Sequence, residues 1–163
     1  KLQDTLPPYD LYLAKDAIKE ELGEENYKKI KKLSSPIAAA SIAQVHFAEI
    51  VIENNHIKEV AVKVLRPNIE KIFNQELEAL MLFASIVETL APKTQRLKLI
   101  EVVHLLKEIT AIEMDLRFEA AAANELKNNT KKDKNFVVPE IFWDYTSKRV
   151  LTSERVNGIP IKR

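Results

Sequence analysis

The sequence predicts an α+β fold in which a small antiparallel sheet is backed by helices. Three observations lead there. Residues 45–52 and 59–65 are rich in β-branched side chains and bracket Asn54 and Asn55, a pair suited to a tight turn because asparagine tolerates positive φ. Two stretches, from about Ile69 to Ala91 and from about Leu97 to Lys127, repeat apolar residues at helical spacing. Val137 to Trp143 and Val150 to Val156 then return to the composition of strands.

Taken in order, Pro7 and Pro8 open a helix with Leu11, Ala14, Ile18 and Leu22 on one face. Gly23 suits the left-handed position that ends helices. A short second helix is expected over Asn26 to Lys32. Its Lys28, Lys29, Lys31 and Lys32 could meet anionic lipid, although a solvated face is favoured for so short a block. A brief strand at Pro36–Ala39 joins the hairpin. Arg66 and Pro67 end the second hairpin strand, and Asn68 is placed to cap the following helix. That helix has the stripe Ile69, Ile72, Phe73, Leu77, Leu80, Ala84 and Val87, and Pro92 stops it. The next is expected to run unbroken to Lys127 on Leu105, Ile109, Ile112, Leu116, Ala120 and Ala123.

Composition excludes several chemistries. The 163 residues include no cysteine, which removes disulfides, thiolate metal sites and cysteine nucleophiles. A formal net charge of +1 gives no bulk attraction to nucleic acid. No apolar run reaches the ~20 residues of a membrane span, and no signal peptide is evident. The chain starts at Lys1 and is expected to be a piece of a longer protein. With only Gly23 and Gly158, no glycine-rich phosphate loop can be written.

Three groups of residues could carry chemistry. Lys63 sits within Val60-Ala61-Val62-Lys63-Val64, where alternation puts Ala61, Lys63 and Leu65 on one face and Val62 and Val64 on the other. A lysine amid that much apolar surface needs an anionic partner if buried. The small residues Ala38, Ala39, Ala40 and Ser41 would let backbone N–H groups approach a phosphate, and Ser41 could add a hydroxyl. Gln44 and His46 could also touch a ligand, with a structural role favoured for His46. His56 and His104 lack the company that metal ligands need. On a continuous helix, Asp115 and Glu119 share one side and Glu113 lies on the other flank, four residues from Arg117. Lys63 is then the natural cation for Asp115 or Glu119.

A small-residue loop, a hairpin, a strand lysine and a helix glutamate follow the order of protein kinases, in which the lysine–glutamate pair orients nucleotide phosphates. The chain resembles more closely the N-terminal lobe of the UbiB family of atypical kinases, linked to ubiquinone biosynthesis. Leu2 to Pro8 is similar to the family's L-Q-D-x-x-P-P, Pro36 to His46 to its alanine-rich loop, and Val60 to Pro67 to its lysine strand. Glu113-Met114-Asp115 resembles its E-x-D motif, Glu119 its helix glutamate, and Val150 to Gly158 the segment around its hinge.

The resemblance implies a helical extension over residues 1–35 and a kinase-like lobe over 36–163. It implies binding of ATP or ADP with Mg²⁺ by Ile37, Ala38, Ala39, Ala40, Ser41, Ile42, Ala43, Gln44, Val45, Lys63, Glu154 and Val156. The activity implied is ATP hydrolysis or phosphoryl transfer to a small molecule, with quinone-biosynthesis proteins and a membrane surface as partners, at the cytoplasmic face. It further implies that K-x-G-Q lies upstream of Lys1. The catalytic aspartate, the metal-binding asparagine and Asp-Phe-Gly would follow Arg163, so the chain alone is expected to be inactive. The alternative is a non-catalytic lobe that binds protein or lipid partners.

Overall fold

A computed structural model describes residues 7–91 and 96–158. Leu2 to Leu6 of the opening motif and the Pro92 helix stop lie outside the described residues. The chain divides into two units, Lys1–Pro67 with Asp115–Arg163, and Asn68–Met114.

The first unit is the sheet. Helix α1 (Leu11–Lys29) starts where the Asp10 carboxylate accepts the Tyr12 N–H at 2.8 Å. Gly23 bends it, with φ 75° and ψ 164°. This is not the left-handed helix cap expected from the sequence but an extended positive-φ conformation that is nearly exclusive to glycine. The second helical segment ends at Lys29. Ile30 and Lys31 form strand β1 instead, paired with Ile50 and Glu49. The lysines around this junction turn to local partners. Lys29 pairs with Glu25 at 2.9 Å and Lys32 with Glu49 at 2.7 Å.

Strands β2 (Pro36–Ala39), β3 (Ala43–Val51) and β4 (Ile57–Leu65) follow. The β3–β4 turn has φ of 57° at Asn54 and 59° at Asn55, as the paired asparagines predict. Strand β5 (Val150–Glu154) pairs antiparallel with β4, placing Lys63 opposite Leu151. The sheet order is β1–β3–β4–β5, with β2 sharing with β1 the same partner, β3. The strand expected at Val137–Trp143 is reduced to one bridge, Ile141 to Ser153, before a 3-10 turn at Trp143–Tyr145. Pro139 lacks the N–H that a longer ladder would use.

One sheet face carries Ala48, Ile50, Val60, Val62, Val64 and Val150, packed on Ala17 and Ile18 of α1 and on Tyr145. Gln44 and His46 lie on this face too, by alternation along β3, and both are buried. Val45, Phe47, Ala61, Lys63 and Leu151 line the opposite face. Helix α4 (Leu116–Asn129) buries Leu116 and Ala120, and the Leu116 N–H reaches the Lys148 carbonyl at 2.9 Å.

The second unit holds helices α2 (Ile69–Leu90) and α3 (Leu99–Glu113). They meet through Leu77, Ala84 and Val103. Asn68 enters α2 in the left-handed region and makes no side-chain cap, contrary to the sequence expectation. The expected α3 stripe of Leu105, Ile109 and Ile112 is exposed, because α3 packs on α2 through Leu99, Ile100 and Val103.

Candidate functional site

The long helix expected from Leu97 to Lys127 is broken at Met114, and the break rearranges its acidic residues. Asp115 is extended (φ −120°) and caps α4, accepting the Arg117 N–H at 3.1 Å. The Arg117 guanidinium closes on both Asp115 oxygens. Hydrogen bonds from Arg117 hold the Asp115 carboxyl below its ordinary value, against the burial that would raise it. Arg117 thus has its carboxylate partner two residues before it. Asp115 is spent on a cap, and Glu113 ends α3 in the other unit.

That leaves Glu119 for Lys63. The Lys63 ammonium donates to Glu119 Oε2 at 2.6 Å, joining β4 to α4. The two side chains retain 30% and 51% of their exposure. A pair this accessible adds at most about 1 kcal/mol to stability. Its consequence is geometric, because it holds a cation on the sheet face opposite α1.

The alanine-rich segment lies at the β2–β3 turn. Ala38 pairs with Val45, and the Ala40 N–H donates to the Ala43 carbonyl at 2.8 Å. No residue from Pro36 to Val45 has positive φ. This explains why alanine can stand in the turn, since the backbone needs no conformation reserved for glycine. It also limits the turn chemically. A concave anion nest alternates left- and right-handed residues, which a turn of wholly negative φ does not provide. Ala38, Ala40 and Ser41 are exposed, as is Ile37. Ala43 is buried, whereas Ala39, Ile42 and Val45 are half-buried.

Gln44 is not brought to the Lys63 face. Its side chain is 1% exposed on the opposite face, where Oε1 accepts the Tyr9 N–H at 3.2 Å and Nε2 meets His46 Nε2 at 3.0 Å. His46 Nδ1 lies 2.8 Å from the Ser34 carbonyl. A carbonyl only accepts, so Nδ1 carries the proton, Nε2 accepts from Gln44, and the ring is neutral. Burial, the larger effect, lowers the His46 pKa, although the Ser34 hydrogen bond acts against it. Alternation along β3 was the available signal, because Gln44, His46, Ala48 and Ile50 share a period of two.

At the end of β5, Glu154 sits opposite Val60 and Val156 is exposed. Between them, the Arg155 guanidinium stacks 4.0 Å over the Phe47 ring and lies 3.5 Å from Glu59. Residue pattern gave no hint of this cation–π contact, which joins distant strands. Among the described residues, no group of three His, Cys, Asp or Glu side chains could hold a metal ion, and no helix is long and apolar enough to cross a membrane.

A family model described as the ABC1 atypical kinase-like domain matches residues 1–163. Among curated relatives, one from Azotobacter vinelandii is 37% identical over 161 residues, covering 98% of this chain and 29% of that protein. One from Marinobacter nauticus is 40% identical over 162 residues, covering 99% and 29%. One from Pseudomonas aeruginosa is 36% identical over 163 residues, covering 98% and 30%. Each is named a probable protein kinase UbiB. The chain thus spans less than a third of the length of these relatives.

Proposed function

Because the chain belongs to the ABC1 atypical kinase-like family, we propose that residues 36–163 are the nucleotide-binding lobe of a kinase-like phosphotransferase or ATPase, with residues 1–35 as its helical extension. The supporting observation is the 2.6 Å contact between Lys63 and Glu119 on a sheet face bordered by the alanine turn.

Lys63 would hold the α- and β-phosphates of ATP or ADP, with Glu119 fixing the ammonium's direction. The backbone of Ala38 to Val45 would cover the phosphates, sterically more than through a nest of N–H groups, with the Gln44 side chain turned away to Tyr9 and His46. Backbone groups near Glu154 to Val156 would meet the adenine. Bound Mg²⁺ would neutralise phosphate charge and enter with the nucleotide. Glu113 and Asp115 would form the E-x-D element, although the Asp115 carboxylate is already engaged by Arg117. We extend the proposal to a role in ubiquinone synthesis at the cytoplasmic membrane face, from the names of the relatives and the family resemblance. The 163 residues alone are expected to bind without turnover.

Thermal melting with Mg-ATP or Mg-ADP tests the reading. A rise that depends on nucleotide concentration and vanishes in Lys63→Ala supports it. No rise at millimolar nucleotide counts against it.

One observation favours a second reading, an interaction module. On α2, Ile72, Phe83, Ile86 and Leu90 repeat at helical spacing and are exposed. On α3, Val102, Leu105, Leu106, Ile109 and Ile112 do the same. Stripes of this kind mark surfaces that a partner covers. Nucleotide-independent melting, together with self-association lost on Phe83→Glu, would favour this module.

A further inference from the structure

The structure joins Tyr9, Arg66 and the buried Gln44 to the alanine turn. Arg66 follows β4 directly. Its Nε donates to the Ala40 carbonyl at 3.1 Å, and its Nη2 donates to the Pro7 carbonyl at 3.1 Å. Its backbone N–H donates to the Ile42 carbonyl at 2.8 Å. One residue therefore grips the turn twice and the N-terminal segment once.

The N-terminal segment is itself held down. The guanidinium of Arg66 lies 5.7 Å from the centre of the Tyr9 ring. The Tyr9 hydroxyl lies 3.3 Å from both the Val64 and Leu65 carbonyls, the two residues before Arg66. The Gln44 side chain takes the Tyr9 N–H and offers its amide to the Tyr9 carbonyl at 3.4 Å. These bonds are long-range in sequence, and together they clip Pro7–Tyr9 against the start of β3 and the end of β4. A glycine-rich flap would be free to open. This turn is instead tied to a peripheral segment through a planar fork whose geometry suits two carbonyls at once.

We propose that Arg66 is a positioning residue that couples the Pro7–Tyr9 segment to the alanine turn, so that seating or release of that segment sets how firmly the turn closes over a nucleotide. The link to nucleotide rests on the functional reading above. The brace itself does not, and the two are separable by experiment.

Hydrogen exchange of the nucleotide-free chain, read at the Ala40 amide that bonds to Ala43, tests the brace. Arg66→Gln is expected to speed exchange there roughly tenfold or more, the effect of losing a charge-assisted bond. The β4 amides of Val62 and Val64 should keep their protection. Tyr9→Leu should give the same local effect, and adding it to Arg66→Gln should add little, because both act through one clip. Unchanged exchange at Ala40 in both single variants, or strict additivity in the double variant, would overturn the coupling. If Arg66→Gln loosens β4 as well, Tyr9→Leu alone decides.

The nucleotide arm uses melting with Mg-ATP. Arg66→Gln should reduce the rise, whereas Lys63→Ala should abolish it and leave Ala40 exchange unaltered. A parent chain with no rise sinks the nucleotide reading while the exchange result still decides the brace. A full rise in Arg66→Gln, with exchange at Ala40 accelerated, would overturn the link between brace and nucleotide.

Discussion

Arg117 holds Asp115 by two parallel hydrogen bonds, Nε to Oδ1 at 2.9 Å and Nη2 to Oδ2 at 2.6 Å, two residues apart in sequence. On a continuous helix, residues two apart point about 200° away from each other, and this pairing is impossible. The carboxylate is 90% buried, so it has traded water for the guanidinium and the Arg117 N–H. The same bonds start α4, and α4 carries Glu119 to Lys63.

Asp115→Ala should therefore destabilise the sheet unit by about 1 kcal/mol or more, the usual cost of a lost N-cap. The bonded carboxyl has a lowered pKa, so its contribution is complete above the ordinary value of 3.8 and fades as pH falls below it. Denaturant melts should show the wild-type advantage over Asp115→Ala shrinking in that acid range. An advantage that is flat through the acid range would mean the bonds contribute nothing to folding.

Gly23→Ala should cost about 1–3 kcal/mol through backbone strain alone. A Cβ at this site meets nothing within 4 Å, so no clash contributes, but φ is 75°. Gly23→Asn should fare little better, because asparagine tolerates the left-handed helical region and not ψ near 164°. A melting temperature unchanged in Gly23→Ala would show that the bend is not required.

The buried His46 predicts a second pH dependence. Its folded pKa is lowered from 6.5, so stability is full above that value and is lost as pH falls through the lower folded value. Protonation would put an N–H against the Gln44 amide, where it finds no acceptor. Replacing both partners, in Gln44→Leu with His46→Leu, removes the titrating group together with the amide that faces its Nε2. Melting temperature should fall below pH 6.5 in the parent and flatten over the same range in the double variant. NMR titration of the imidazole checks the direction independently.

The α+β class, the antiparallel hairpin and the Asn54–Asn55 turn were legible in the sequence, because each rests on local periodicity or φ preference. The Lys63–Glu119 pair was legible as one of two options. Residue pattern alone left Asp115 and Glu119 both open, because the choice depends on a helix break that periodicity cannot see through apolar residues on both sides. The family resemblance alone pointed to Glu119. The one signal of the break is Asp115, an N-cap residue type, followed by an acidic Glu119 in the next turn. The neighbours of Gln44 point to a phosphate loop, while its own strand parity places its side chain in the core. The grip of Arg66 on the turn has no sequence signature, because its partners are main-chain carbonyls.

The Lys63–Glu119 pair gives the sharpest remaining prediction. With 30% and 51% of their side chains exposed, the two charges should stabilise the fold by less than about 1 kcal/mol. Glu119→Gln should therefore leave the melting temperature of the nucleotide-free chain nearly unchanged. If the pair exists to aim Lys63 at phosphates, the same variant should weaken Mg-ATP binding. Lys63→Met should weaken it further, and the double variant should bind no worse than Lys63→Met alone. Non-additivity in affinity with little effect on stability is the signature of orientation rather than scaffolding. Strict additivity in affinity would mean that Glu119 does not act through Lys63. A large loss of stability in Glu119→Gln would instead make the pair a structural strut between β4 and α4.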